Sequence, residues 1–104
     1  MTKTILITGS TDGIGKLAAL KLAEAGHQVY VHGRNVDKLT MVIAEVKAVA
    51  TGAAVDNING FVADFSDLNA VRKMAAEVNK TLPKLDVLIN NAGANKFFHY
   101  SFPP

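Results

Sequence analysis

No cysteine occurs anywhere in the 104 residues. That absence excludes disulfides, thiolate metal sites and a catalytic thiol, and it suits a reducing cytoplasm. No long apolar run occurs either. The N-terminal one, Ile5-Leu6-Ile7, follows Lys3 and is closed off by Gly9, far short of what a signal-peptide core or a membrane-spanning helix requires. Neither sign of charge dominates. Eleven basic residues face 9 acidic ones, for a net charge of +2 and no basic block, so nothing calls for a nucleic-acid or membrane partner. Repeats and low-complexity stretches are lacking too. What remains, 49% hydrophobic and 19% charged residues, is the composition of one soluble globular domain with a core, expected in the cytoplasm.

Two hydrophobic periods alternate along the chain. Residues 4–8 form a short apolar run of the kind found in a buried strand. Ile14, Leu17, Ala18, Leu22 and Ala25 then recur at helical spacing, and the pattern stops at Gly26. Residues 29–32 make a second strand ending at Gly33. Asn35 is placed to cap a second helix with Leu39, Val42, Ile43, Val46 and Val49 inward and Gly52 at its end. Residues 58–62 make a weaker third strand, interrupted by Gly60. Ser66 is read as the cap of a third helix carrying Leu68, Val71, Ala75 and Val78, with Pro83 beyond its end. Residues 85–89 form a fourth strand in which Asp86 is the only charge. This alternation implies βαβ crossovers and a parallel sheet, whose first three strands are half of a doubly wound α/β fold. Residues 94–104 follow neither period and are expected to be an irregular tail to a domain spanning residues 1–93.

The chemistry concentrates where the first strand hands over to the first helix, at Thr8-Gly9-Ser10-Thr11-Asp12-Gly13-Ile14-Gly15. Gly9 permits a tight turn, Gly13 lets a pyrophosphate approach the backbone, and Gly15 lets helix and strand pack closely. The helix start offers free N–H groups and a partial positive charge to phosphates, and Ser10 and Thr11 can add hydroxyl donors. A plain turn is the competing account, but the spacing falls in the strand–turn–helix context that phosphate binding requires.

These residues resemble the classical short-chain dehydrogenase/reductase family, whose mark T-G-x-x-x-G-I-G is matched by Thr8-Gly9 and Gly13-Ile14-Gly15. A second mark, N-N-A-G after the fourth strand, stands complete as Asn90-Asn91-Ala92-Gly93, and Asp64 fits an aspartate that the family uses near the adenine. The resemblance covers residues 3–93. It implies a three-layer Rossmann-type sheet in the order 3-2-1-4, truncated after the fourth strand, and a nicotinamide dinucleotide as cofactor. By the same resemblance Asn91 supports the sheet and Ala92 and Gly93 pass close to the cofactor.

The choice of nucleotide is read at the end of the second strand. An acidic residue there would bind the ribose 2′-hydroxyl of NAD, whereas His32-Gly33-Arg34-Asn35 has glycine at that place and an arginine after it. Arg34 can meet a 2′-phosphate with a fork of charged hydrogen bonds, so NADP(H) is favoured over NAD(H), with Asp12 arguing the other way. The expected cofactor-binding residues are therefore Gly9, Ser10, Thr11, Gly13, Ile14, Gly15, Arg34, Asn35, Asp64, Asn91, Ala92 and Gly93.

The family's Tyr-x-x-x-Lys pair is missing. Tyr30 has Arg34 four places on and Tyr100 has Pro104, so no catalytic residue is assigned. His27, His32 and His99 have no partners at metal-ligand spacing and are expected in loops or on the surface. Lys16 and Lys38 are expected on solvated helix faces, with Lys38 able to add to the field near Arg34. The tail looks like a reading frame that lost its continuation. Without further strands, the fourth strand would be an edge and the first would be short of helical cover, inviting self-association. The reading reached is the dinucleotide-binding half of an oxidoreductase, not catalytic alone. A non-catalytic NADP(H)-binding or regulatory module is the alternative, and unconventional catalysis by the tail is a third.

Overall fold

Seven short segments alternate between strand and helix, as the two hydrophobic periods require. The computed structural model describes residues 2–51, 58–82 and 84–91. They form β1 (Thr4–Ile7), α1 (Gly13–Glu24), β2 (Gln28–Gly33), α2 (Val36–Val49), β3 (Asn59–Val62), α3 (Leu68–Thr81) and β4 (Val87–Ile89). All strand pairs are parallel and their order is β3-β2-β1-β4. Ile5 lies beside Val29 and Val87, and Ile7 beside Val31 and Ile89.

Because side chains alternate along a strand, the apolar runs serve two cores. Ile5, Ile7, Val29 and Val31 face Ala19 and Ala23 of α1 and Leu39, Val42 and Val46 of α2. Leu6, Tyr30 and Phe61 face the opposite way, onto Met74 and Val78 of α3 and Leu82 beyond it. The result is three layers with a central strand buried on both sides. The expected lack of helical cover over β1 is thus incorrect: Leu6 and Ile7 are fully buried, because α3 closes the second face. β4 stands open, with Val87 and Leu88 each 39% exposed. Its position is set by Asp86, whose N–H donates to the Thr4 carbonyl at 2.9 Å and whose carboxylate accepts the Thr4 N–H at 2.8 Å. That N–H, aided by Lys84, holds the Asp86 carboxyl below its ordinary range against the opposing effect of burial.

The helices depart from the hydrophobic pattern in two places. In α1 the buried line is Gly15, Ala19 and Ala23, while Ile14 and Leu17 are 80% and 56% exposed. Small residues four apart let the helix backbone come close to the sheet, and that closeness outweighed the greater hydrophobicity of the neighbouring stripe. In α3 the cap is Asp67 rather than Ser66. The Asp67 carboxylate accepts from the N–H groups of Asn69 and Ala70 at 2.9 and 3.4 Å, whereas the Ser66 hydroxyl and N–H are both given to Asp64. Leu68 is exposed, and Met74, absent from the expected stripe, is buried. By contrast α2 follows expectation, with Asn35 accepting from the Lys38 N–H at 3.0 Å and with Ile43 and Val49 packed against the core. Gly52, Pro83 and residues 94–104 lie outside the described residues.

The cap assignment has a direct test. Asp67→Ala is expected to lower stability by about 1 kcal/mol, and Ser66→Ala to leave the helix content of α3 unchanged. Urea unfolding followed by circular dichroism measures both, and equal losses would return the cap to Ser66.

Candidate functional site

The carboxyl ends of the four strands converge on one rim, and β1 is the strand that the glycine turn leaves. At Gly13 the backbone is left-handed, with φ of 58°, and a Cβ there would meet nothing within 4 Å. The position is glycine for its backbone, and the space beside it is open. Gly15 is glycine for the opposite reason: a Cβ would collide with the Gly9 carbonyl oxygen and come within 2.7 Å of Asn91 Nδ2. Asp12 stands at the N-cap of α1 but its side chain caps nothing. The first N–H groups of α1 therefore keep no carboxylate of their own and sit at the positive end of the helix dipole.

Two residues of the turn and of β2 take places other than those expected. Ser10 is fully buried; its hydroxyl donates to the Ile7 carbonyl at 2.9 Å and accepts the His32 N–H at 2.8 Å. A hydroxyl so placed ties β1 to β2 and spends its proton on the Ile7 carbonyl. His32 is buried in β2 rather than in a loop or on the surface. Its Nδ1 accepts the Gly9 N–H at 2.9 Å, which leaves the ring proton on Nε2 to be donated to the Ala63 carbonyl at 2.8 Å. The ring lies on Phe65, with centroids 4.3 Å apart. Burial pushes its proton affinity down, and the bond to Ala63 partly opposes this. The strand pattern placed His32 at the end of the second strand, but a polar ring there gave no hint of which two backbone groups it would join.

A cleft of about 390 Å3 opens at this rim, lined among others by Gly9, Thr11, Gly33, Arg34, Asp64 and Asn91. Thr11 fills the space that a side chain at Gly33 would need. Arg34 is exposed at the edge. Asn35 uses its side-chain oxygen to cap α2. One Asp64 carboxylate oxygen takes both donors of Ser66, at 2.9 and 2.7 Å. Asn91 donates its N–H to Thr8 Oγ1 at 2.9 Å and its amide to the Gly9 carbonyl at 3.1 Å, so it braces the glycine turn from β4. Ile14 is exposed beside the turn. Ala92 and Gly93 lie outside the described residues. Lys38 is on a solvated face as expected, with its Nζ 3.4 Å from the exposed Asp12 carboxylate, while Lys16 pairs with Glu45 of α2 at 2.7 Å.

A parallel 3-2-1-4 sheet, a glycine turn with a bare helix start and a cleft across the strand ends are now joined to a sequence match. The family model for short chain dehydrogenases covers residues 3–102. The chain belongs to that family. It is 42% identical over 91 residues to a protein of Streptomyces sp. (strain C5) named as a daunorubicin C-13 ketoreductase, covering 88% of this chain and 30% of that one. Among solved structures it resembles the RhlG/NADP complex of Pseudomonas aeruginosa, at 27% identity with a TM-score of 0.76 over 90% of this chain and 36% of that one. It also resembles an NAD+-bound xylitol dehydrogenase, at 31% identity with a TM-score of 0.75 over 88% and 33%. The chain spans about a third of the length of such relatives. The match runs to residue 102, beyond the Asn90-Asn91-Ala92-Gly93 motif. Among the described residues, no helix is long and apolar enough to cross a membrane.

Gly15→Ala is expected to cost about 1–3 kcal/mol, because the colliding partner is backbone and cannot rotate away. Thermal unfolding reads the loss, and a variant as stable as the parent would mean that α1 has slack at its start.

Proposed function

We propose that the cleft binds a nicotinamide dinucleotide, NADP(H) in preference to NAD(H), as the cofactor-binding part of an oxidoreductase acting on an alcohol or carbonyl group. The observation that carries the preference is Arg34, exposed at the cleft edge directly after a side-chain-free Gly33. A planar guanidinium suits a 2′-phosphate, and no carboxylate stands at residue 33 to bind a ribose hydroxyl. The cofactor fits the residues present. The uncapped start of α1 and the open backbone at Gly13 suit a pyrophosphate, with Thr11 beside them, and the loop from Ala63 to Ser66 forms the wall on the adenine side. When bound, the dinucleotide supplies or accepts the hydride. This segment binds and orients it; no residue of this segment is assigned to proton transfer. Relatives of both cofactor types exist, the RhlG structure being an NADP complex and the xylitol dehydrogenase an NAD+ complex, so the preference rests on Arg34. The setting proposed is the cytoplasm, where both cofactors are found.

Isothermal titration of the chain with NADPH and then NADH tests this reading. Tighter binding of NADPH is expected, and Arg34→Ala should weaken it about tenfold or more while leaving NADH nearly unchanged. Equal loss for both cofactors would remove the 2′-phosphate from the account.

We also propose that the chain associates with itself through its open apolar surface. Val87 and Leu88 on the edge strand β4 and Ile14 and Leu17 on α1 are all exposed. Sedimentation velocity over a range of loadings is expected to show mass rising with concentration, and a single monomeric boundary throughout would dismiss it.

A further inference from the structure

His32 is a buried histidine with both ring nitrogens engaged, and neither bond stays within its own strand. One runs to Gly9 on the turn after β1, the other to Ala63 on the segment after β3. Both segments line the cleft, and the strand order puts them on either side of β2. The ring is itself held by Phe65 beneath it, and the residue's backbone by the Ser10 hydroxyl. Gly9 keeps a left-handed φ of 62°, and the imidazole is the acceptor that fixes its N–H in that conformation.

We infer that His32 is a positioning residue for the cofactor: a single Nε2-protonated imidazole spans the cleft floor and holds the phosphate-side turn and the adenine-side loop at a fixed separation. This deepens the proposed dinucleotide function and rests on it. The arrangement makes a prediction of sign. A second proton would have to sit on Nδ1, where it would face the Gly9 N–H, so two donors would oppose each other and the turn would be displaced. Charge alone predicts the reverse, since a new cation near an anionic dinucleotide strengthens binding. Among the described residues lining the cleft, the charged groups are Asp12 on the turn, paired with Lys38 of α2, Arg34 after β2 and Asp64 after β3; the lining residue beyond β4 is the uncharged Asn91.

Stability follows the same sign. Burial keeps the folded ring neutral to lower pH than the unfolded one. The contribution of His32 is therefore complete above about pH 6.5 and declines as the pH falls below that value, until the folded ring also protonates.

The test titrates the chain with NADPH and with NADH between about pH 8 and pH 5.5, within the range where its circular dichroism is constant. NADH is included because the 2′-phosphate of NADPH titrates in the same region. Two variants are compared. His32→Phe keeps a ring on Phe65 but no acceptor, and His32→Asn offers an oxygen to Gly9 and cannot titrate. Affinity for both cofactors is expected to fall on acidification in the parent. His32→Phe should bind about tenfold more weakly at the alkaline end, and His32→Asn should regain most of that loss and show no acid limb with NADH. Unchanged binding by His32→Phe, or an acid limb for NADH that survives in His32→Asn, would overturn the inference alone. If the parent binds neither cofactor at any pH, the dinucleotide reading fails and the inference falls with it. Should His32→Phe not fold, long-range 1H–15N spectra of the parent decide: an Nε2–H tautomer whose titration moves the Gly9 amide supports the bridge, and an Nδ1–H tautomer sinks it.

Discussion

The approach of α1 to the end of β1 governs much of this structure. At Gly15 the helix passes so near the Gly9 carbonyl that no Cβ fits between them. Ala19 and Ala23 continue the same line toward the sheet. That line fixes the rotation of α1 about its axis, turning Ile14 and Leu17 outward. It also sets the uncapped start of the helix beside the end of β1, next to the cleft that Asp12 helps to line. A bulkier contact would lift the helix and carry its free N–H groups away from the rim. Packing density and the placement of the bare helix start are thus two consequences of one missing methyl group.

A second layer of order is polar. Among the described residues the buried polar ones are Thr8, Ser10 and His32, all at or just past strand ends. Among the described residues no buried side-chain polar atom lacks a partner. In a low-dielectric interior a fully satisfied network is rigid, because breaking one bond leaves a donor or acceptor stranded. Ser10 joins the ends of β1 and β2, His32 joins both to the segment after β3, and Asn91 reaches the same turn from β4. The rim of the sheet is held by side chains where the ladder hydrogen bonds give out. Charge is arranged more loosely, with Lys38 countering Asp12 across solvent and Arg34 exposed nearby.

Much of this was legible in advance because it depends on short-range rules. Strand and helix alternation follows from side-chain period, and the parallel order follows from crossover lengths together with the family's motifs. The cap at Asn35 and the inner face of α2 came from the same local logic. The failures share a cause. Ser66 and Asp67 are adjacent and both can cap, and only the competing claim of Asp64 on Ser66 separates them. The α1 stripe was misjudged because hydrophobicity ranks Ile14 and Leu17 above Gly15 and Ala19, whereas a close helix–sheet contact selects for smallness.

The amino-acid sequence by itself determined the alternating elements, the glycine turn, the nucleotide-binding class and the place of Arg34, since each is written in neighbouring residues. The tertiary structure alone decided what Ser10 and His32 do. Ser10 takes the His32 N–H, 22 residues away, and His32 joins the Gly9 N–H and the Ala63 carbonyl, 23 and 31 residues away in the chain. Backbone groups look alike at every position of a sequence, so only the folded register reveals which of them a buried hydroxyl or imidazole will meet.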